Sequence, residues 1–190
     1  MKTSPDRPLT PTARAVRLGL VASMLLAGAA HAEGTSAKFV LTAYTNGAGG
    51  ADLVAGDYQT ALAALTKPKR KLAVRDPLTT STNLCVAYTM TKQWEMARTA
   101  CDEAITEAKH ERLRSPAWTY STRLKQNSYV ALAYSNRAVL NWLSNNSAGA
   151  EQDLSSAAAY APKADFVARN LAALRSAPST LAQAVVAPQK

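Results

Sequence analysis

The chain has 190 residues, with 22 Lys+Arg against 13 Asp+Glu, a formal charge of +9, two cysteines and two histidines. That length suits one ordinary domain with a core that needs no metal or disulfide, and it leaves little room for a second. So few Cys and His argue against a zinc finger, and no apolar run reaches the ~18 residues of a membrane-spanning helix.

Residues 1–32 read as a secretory signal peptide. Lys2, Arg7, Arg14 and Arg17 form a basic front, Leu18 to Ala30 is an uncharged apolar core too short to span a bilayer, and Ala30-His31-Ala32 precedes Glu33 as the expected cut. The segment holds four of the 22 bases and one of the 13 acids, so the remainder carries +6 and a single histidine, His110. Export to a bacterial periplasm, or secretion, is the expected destination. No cysteine follows the apolar core, so no lipid anchor is indicated.

Residues 33–56 are expected to be an irregular or extended N-terminal arm. Phe39-Val40-Leu41-Thr42-Ala43-Tyr44 is apolar and β-branched, as a short strand or extended arm would be, and Thr45 to Gly50 is turn chemistry. Gly47-Ala48-Gly49 resembles a dinucleotide-binding turn, but Asp52 stands where the third glycine belongs and no alternating strand–helix pattern follows.

From 57 to 176 alanine becomes dense and apolar residues recur three and four apart, while prolines at 68, 77, 116, 162 and 178 punctuate the segments. The periodicity predicts helices near 57–66, 79–91, 93–112, 126–144, 148–160 and 164–175, hence an all-α protein. Residues 177–190 read as a C-terminal tail. The run Lys67-Pro68-Lys69-Arg70-Lys71, with Arg75, is the densest charge cluster. Export argues against a nucleic-acid role for it; it reads as a solvated linker, with contact to an anionic membrane surface as the alternative.

An internal repeat is visible in the spacing. Cys85 is followed by Ala97 and Ala104, and Ala138 by Ala150, Ala157 and Pro162, at the same intervals; Asn83, Asn136 and Asn170 lead three helices, the last two 34 residues apart. This resembles the tetratricopeptide repeat, a 34-residue helix–turn–helix unit. The resemblance implies a short right-handed stack of antiparallel α-hairpins, with two full units, a half unit before and a single helix after. Between Cys85 and Ala138 lie 19 residues more than one repeat, accommodated by longer helices or by a loop around Arg112 to Ser128. It also implies a concave groove lined by the leading helices, in which Asn83, Asn136 and Asn170 hold an extended peptide's backbone, bordered by Trp142 and Arg169 with Thr82, Val86, Ser135 and Val139. An amide both donates and accepts, so it can read main chain without regard to side chain. The bland alternative is that these asparagines only help order the helix pairs.

Cys85 and Cys101 are an even pair in an exported chain, readable as one bridge or as two buried thiols; a Cα separation beyond about 7 Å would exclude the bridge. Nothing in the chain matches Gly-x-Ser-x-Gly, His-Glu-x-x-His or a phosphate-cradling Gly-Lys-Ser/Thr loop. Glu103, Glu107 and Glu111 share a helix face but alternate with bases, which reads as a solvated surface. The expectation is an exported, non-catalytic interaction scaffold with a protein or peptide partner and no cofactor, metal or nucleic acid. The runner-up is a peripheral envelope protein attached through Lys67–Arg75; an enzyme of unrecognised chemistry comes third.

Overall fold

The computed structural model describes residues 38–67, 76–114, 119–176 and 184–189. The signal segment with its Ala32/Glu33 junction, and Lys69, Arg70, Lys71 and Arg75, lie outside the described residues. In chain order the elements are β1 (Phe39–Tyr44), α1 (Gly50–Ala55), α2 (Tyr58–Thr66), α3 (Pro77–Met90), α4 (Trp94–Arg114), α5 (Tyr120–Leu143), α6 (Ser147–Tyr160), α7 (Asp165–Ser176) and β2 (Ala184–Gln189).

Local chemistry sets the helix starts. Asp57, Asp76, Thr119 and Asn146 each place a side-chain oxygen on the backbone N–H three residues on, capping α2, α3, α5 and α6. Pro77 adds its preset φ at the first position of α3. The glycine-rich stretch, expected to be irregular, contains the short helix α1. Gly56 closes it in the left-handed region at φ 85°. A Cβ at Gly50 would overlap the Tyr44 carbonyl oxygen, so only glycine lets the chain fold back at once from β1 into α1.

Helices α3/α4 and α5/α6 form two packed antiparallel pairs with the same turn. Lys92 and Asn145 occupy the left-handed region at φ 59° and 63°. In both turns the next residue's N–H reaches a carbonyl five positions back, Gln93 to Tyr88 and Asn146 to Asn141. The small residues that the spacing singled out are where close approach needs them: Cys85, Ala97, Ala104, Ala138, Ala150 and Ala157 are all buried. The 19-residue excess is taken up mainly by helix length, since α4 has 21 residues against 14 in α3, and α5 has 24 against 14 in α6.

The protein is mostly helical but not all-α. β1 and β2 form a two-stranded parallel sheet, with Phe39 opposite Ala184 and Tyr44 opposite Gln189. β1 is buried throughout, as its nearly continuous apolar sequence demands. Phe39, Leu41 and Ala43 join a core with Leu53, Leu62, Val86 and Leu140, while Tyr44 joins another with Ile105, Val130 and Leu132. The 177–190 segment, expected to be a plain tail, thus supplies a strand. No helix among the described residues is long and apolar enough to cross a membrane.

Candidate functional site

The leading helices α3, α5 and α7 each carry an asparagine that is fully or almost fully buried. All three grip β1, and each holds one residue by both main-chain groups. Asn170 accepts from Val40 N–H at 2.6 Å and donates to Val40 C=O at 2.8 Å. Asn136 accepts from Thr42 N–H and donates to Thr42 C=O, both at 2.8 Å. Asn83 accepts from Tyr44 N–H at 2.8 Å and donates to Tyr44 C=O at 3.0 Å. The amides that the spacing placed at equivalent positions do hold an extended backbone, and that backbone is the chain's own.

The register follows from strand geometry. Main-chain groups of alternate residues point to opposite edges. Residues 40, 42 and 44 serve the asparagines, so 39, 41 and 43 serve β2. β1 lies edge-on between the helices and β2 and runs opposite to the order of the array, from α7 back to α3. The amides are held in their turn: Asn170 Nδ2 also donates to Ser135 Oγ at 2.8 Å, and Asn83 Nδ2 to Ala48 C=O at 3.1 Å. In a parallel pair each bridging residue bonds the two that flank its partner. Residues 185, 187 and 189 of β2 therefore face β1, and Pro188 puts its missing N–H on the outer edge, where no ladder partner is lost.

The other expected groove residues divide. Thr82, Val86, Ser135 and Val139 are buried, Val86 and Val139 in one core with Phe39 and Leu41, and Trp142 is half-buried with its ring centroid 5.4 Å from that of Phe39. Trp142 is therefore a wall of the filled groove rather than an exposed contact. Arg169 is exposed, with its guanidinium 3.7 Å from Asp165, and is not among the side chains that hold the main chain of β1. Of the basic run only Lys67 is described; it follows α2.

Cys85 and Cys101 form a disulfide with a Cα separation of 4.7 Å, tying α3 to α4 within the core that Phe39 and Leu41 also join. Such a bond is consistent with an oxidising compartment outside the cytoplasm. One cluster gave no signal in the sequence. Arg137 reaches Asp153 with two nitrogens, at 2.9 and 2.6 Å, and Asp102 with a third at 2.7 Å, so α5 is joined to α6 and α4. The buried Asp153 also accepts from Asn141 at 2.9 Å. The hydrogen bond to Asp153 is the main reason the Arg137 guanidinium holds its proton more tightly than usual, against the opposing effect of burial.

At the ends of the two strands a half-open cleft of about 580 Å³ is lined by Tyr44, Asp76, Glu111, Lys125, Tyr129 and Gln189, among others. Its carboxylates have structural work: Asp76 caps α3 and Glu111 lies 3.7 Å from Arg114. The Tyr44 hydroxyl is buried without a hydrogen-bond partner. Burial first, then Tyr129 and Asp76, push its phenol well above the usual range, so it stays protonated. Among the described residues no group of three or more His, Cys, Asp or Glu could hold a metal ion. No family model matches the chain, and neither a curated protein nor a solved structure does.

Proposed function

We propose that the protein is an exported, non-catalytic interaction scaffold of the bacterial periplasm, built as a short tetratricopeptide-type array that binds its partner as an extended segment. The two edges of β1 carry this reading: three amides, one per leading helix, hold residues 40, 42 and 44 by main chain, and the other edge is paired only with β2. The signal-like N-terminal segment and the disulfide support the compartment.

The resident strand moves the partner's place. Displacing β1 would break six amide hydrogen bonds and expose six buried residues. β2 is more lightly held, since Val186, Ala187 and Gln189 are only partly buried and Pro188 is exposed. A partner's segment therefore adds alongside β1 in the position β2 now fills, running parallel to β1, with main-chain bonds to residues 39, 41 and 43.

Ala187→Pro in the full chain tests this, because the Ala187 N–H faces β1 and proline removes it. Cross-linked capture from the protein's own cell envelope should enrich a specific protein several-fold over wild type. A synthetic peptide spanning Ala184–Lys190 should compete it away. Equal capture by wild type and variant, untouched by the peptide, would contradict the reading.

A further inference from the structure

The two long helices overhang their partners. With 21 and 24 residues beside 14-residue neighbours, α4 and α5 run on by about 10–15 Å beyond α3 and α6 at 1.5 Å per residue. Arg112 marks where the overhang leaves the body: its Nε donates to Asn127 at 2.9 Å across the pair, and its guanidinium lies over the Tyr160 ring at the end of α6. Beyond it the described residues are strongly apolar and strongly basic at once. Leu113 is 77% exposed, Tyr120 80% and Leu124 49%, three of the five exposed large hydrophobics among the described residues. Tyr120 and Leu124 stand one turn apart on the same face of α5. Between Lys109 and Lys125 there are five Lys/Arg and a single carboxylate, Glu111.

We infer that the facing ends of α4 and α5 form a membrane-contact tip: Leu113, Tyr120 and Leu124 enter the interface of an anionic bilayer while Arg114 and Arg123 face its headgroups. Leucine and tyrosine flanked by cations is the combination that partitions to the water–lipid boundary. The geometry favours lipid over a protein partner. The apolar side chains stand at the ends of two overhanging helices, which a fluid surface can surround, whereas a protein would need a matching hollow. Charge complementarity points the same way, because an anionic surface attracts each nearby base independently of its exact position. None of these residues belongs to the asparagine ladder, so the inference stands whether or not the scaffold reading does.

The test is co-sedimentation of the exported protein, as purified from cells, with vesicles of phosphatidylglycerol and phosphatidylcholine and with phosphatidylcholine alone. Binding is expected only to the anionic vesicles and should weaken as salt rises. Leu113→Ser/Tyr120→Ser/Leu124→Ser should lower the partition at least tenfold, and Arg114→Gln/Arg123→Gln by roughly fivefold per base removed. A variant with Lys67, Lys69, Arg70, Lys71 and Arg75 changed to Gln should retain most of the binding. All these sites in the tip are exposed, so an unchanged thermal midpoint is expected and separates lost contact from lost fold. Absence of anionic-vesicle binding, binding indifferent to the tip variants, or loss only in the five-base variant would overturn the proposal. So would a tip that captures an acidic protein yet leaves vesicles unbound.

Discussion

Asn136 bonds both main-chain groups of Thr42, which have no other partner on that edge of β1. Asn136→Ala would leave a buried N–H and a buried C=O unpaired, each worth about 1–3 kcal/mol. Urea unfolding should therefore show a loss of roughly 2–6 kcal/mol, and a loss below about 1 kcal/mol would mean that the amide is dispensable. Tyr44 gives a pH signature. Its native phenol is held protonated above the ordinary value of 10.0, so the folded state keeps a proton that the unfolded state releases. Its contribution is fully present below about pH 10 and is lost as pH rises beyond it. Denaturation midpoints followed from pH 8 to 11 should fall less steeply in Tyr44→Phe, which also removes an unpaired hydroxyl and should not destabilise the protein at pH 7.

The helical pairs stand on repeated local devices: an Asx or Thr cap, a left-handed residue at the turn and small residues at the crossing. The helices and their small residues were legible, because breakers and 3.6-residue periodicity are local properties, whereas the caps and the left-handed turn residues were not singled out. The expected 126–144 helix begins earlier, at Tyr120, since Thr119 caps it. Two elements were not legible. α1 is six residues set among glycines that break the helical pattern on both sides, and the Val185-Val186 pair of β2 is too short, and too close to Pro188, to signal a strand. Within the first pair the disulfide closes a 16-residue separation. On the chain-entropy estimate it contributes about 3 kcal/mol, so reduction should lower stability by about that amount. Thermal unfolding with and without reductant measures this, and a Cys85→Ala/Cys101→Ala chain should match the reduced protein. Insensitivity to reductant would imply that the helix pair needs no clamp.

Across the whole molecule the decisive pairings are remote in sequence. Thr42 meets Asn136 over a separation of 94 residues, and Val40 meets Asn170 over 130. Spacing showed that the three asparagines were equivalent and that 39–44 was extended, because both are readable within a short window. It could not show that one fills the other, since nothing local links a strand at the start of the domain to helices at its end. The groove is consequently better described as a seam: β1 threads the array from α7 to α3, joining both ends of the helical stack through one backbone.

That seam is the central claim, and native-state amide hydrogen exchange tests it most directly. The N–H groups of Val40, Thr42 and Tyr44 should exchange only through global unfolding, as slowly as core amides of α5 such as Val139. In Asn136→Ala the Thr42 amide should lose the most protection. If all three exchange at free-peptide rates while the α5 amides stay protected, the strand does not occupy the groove in solution and the account fails.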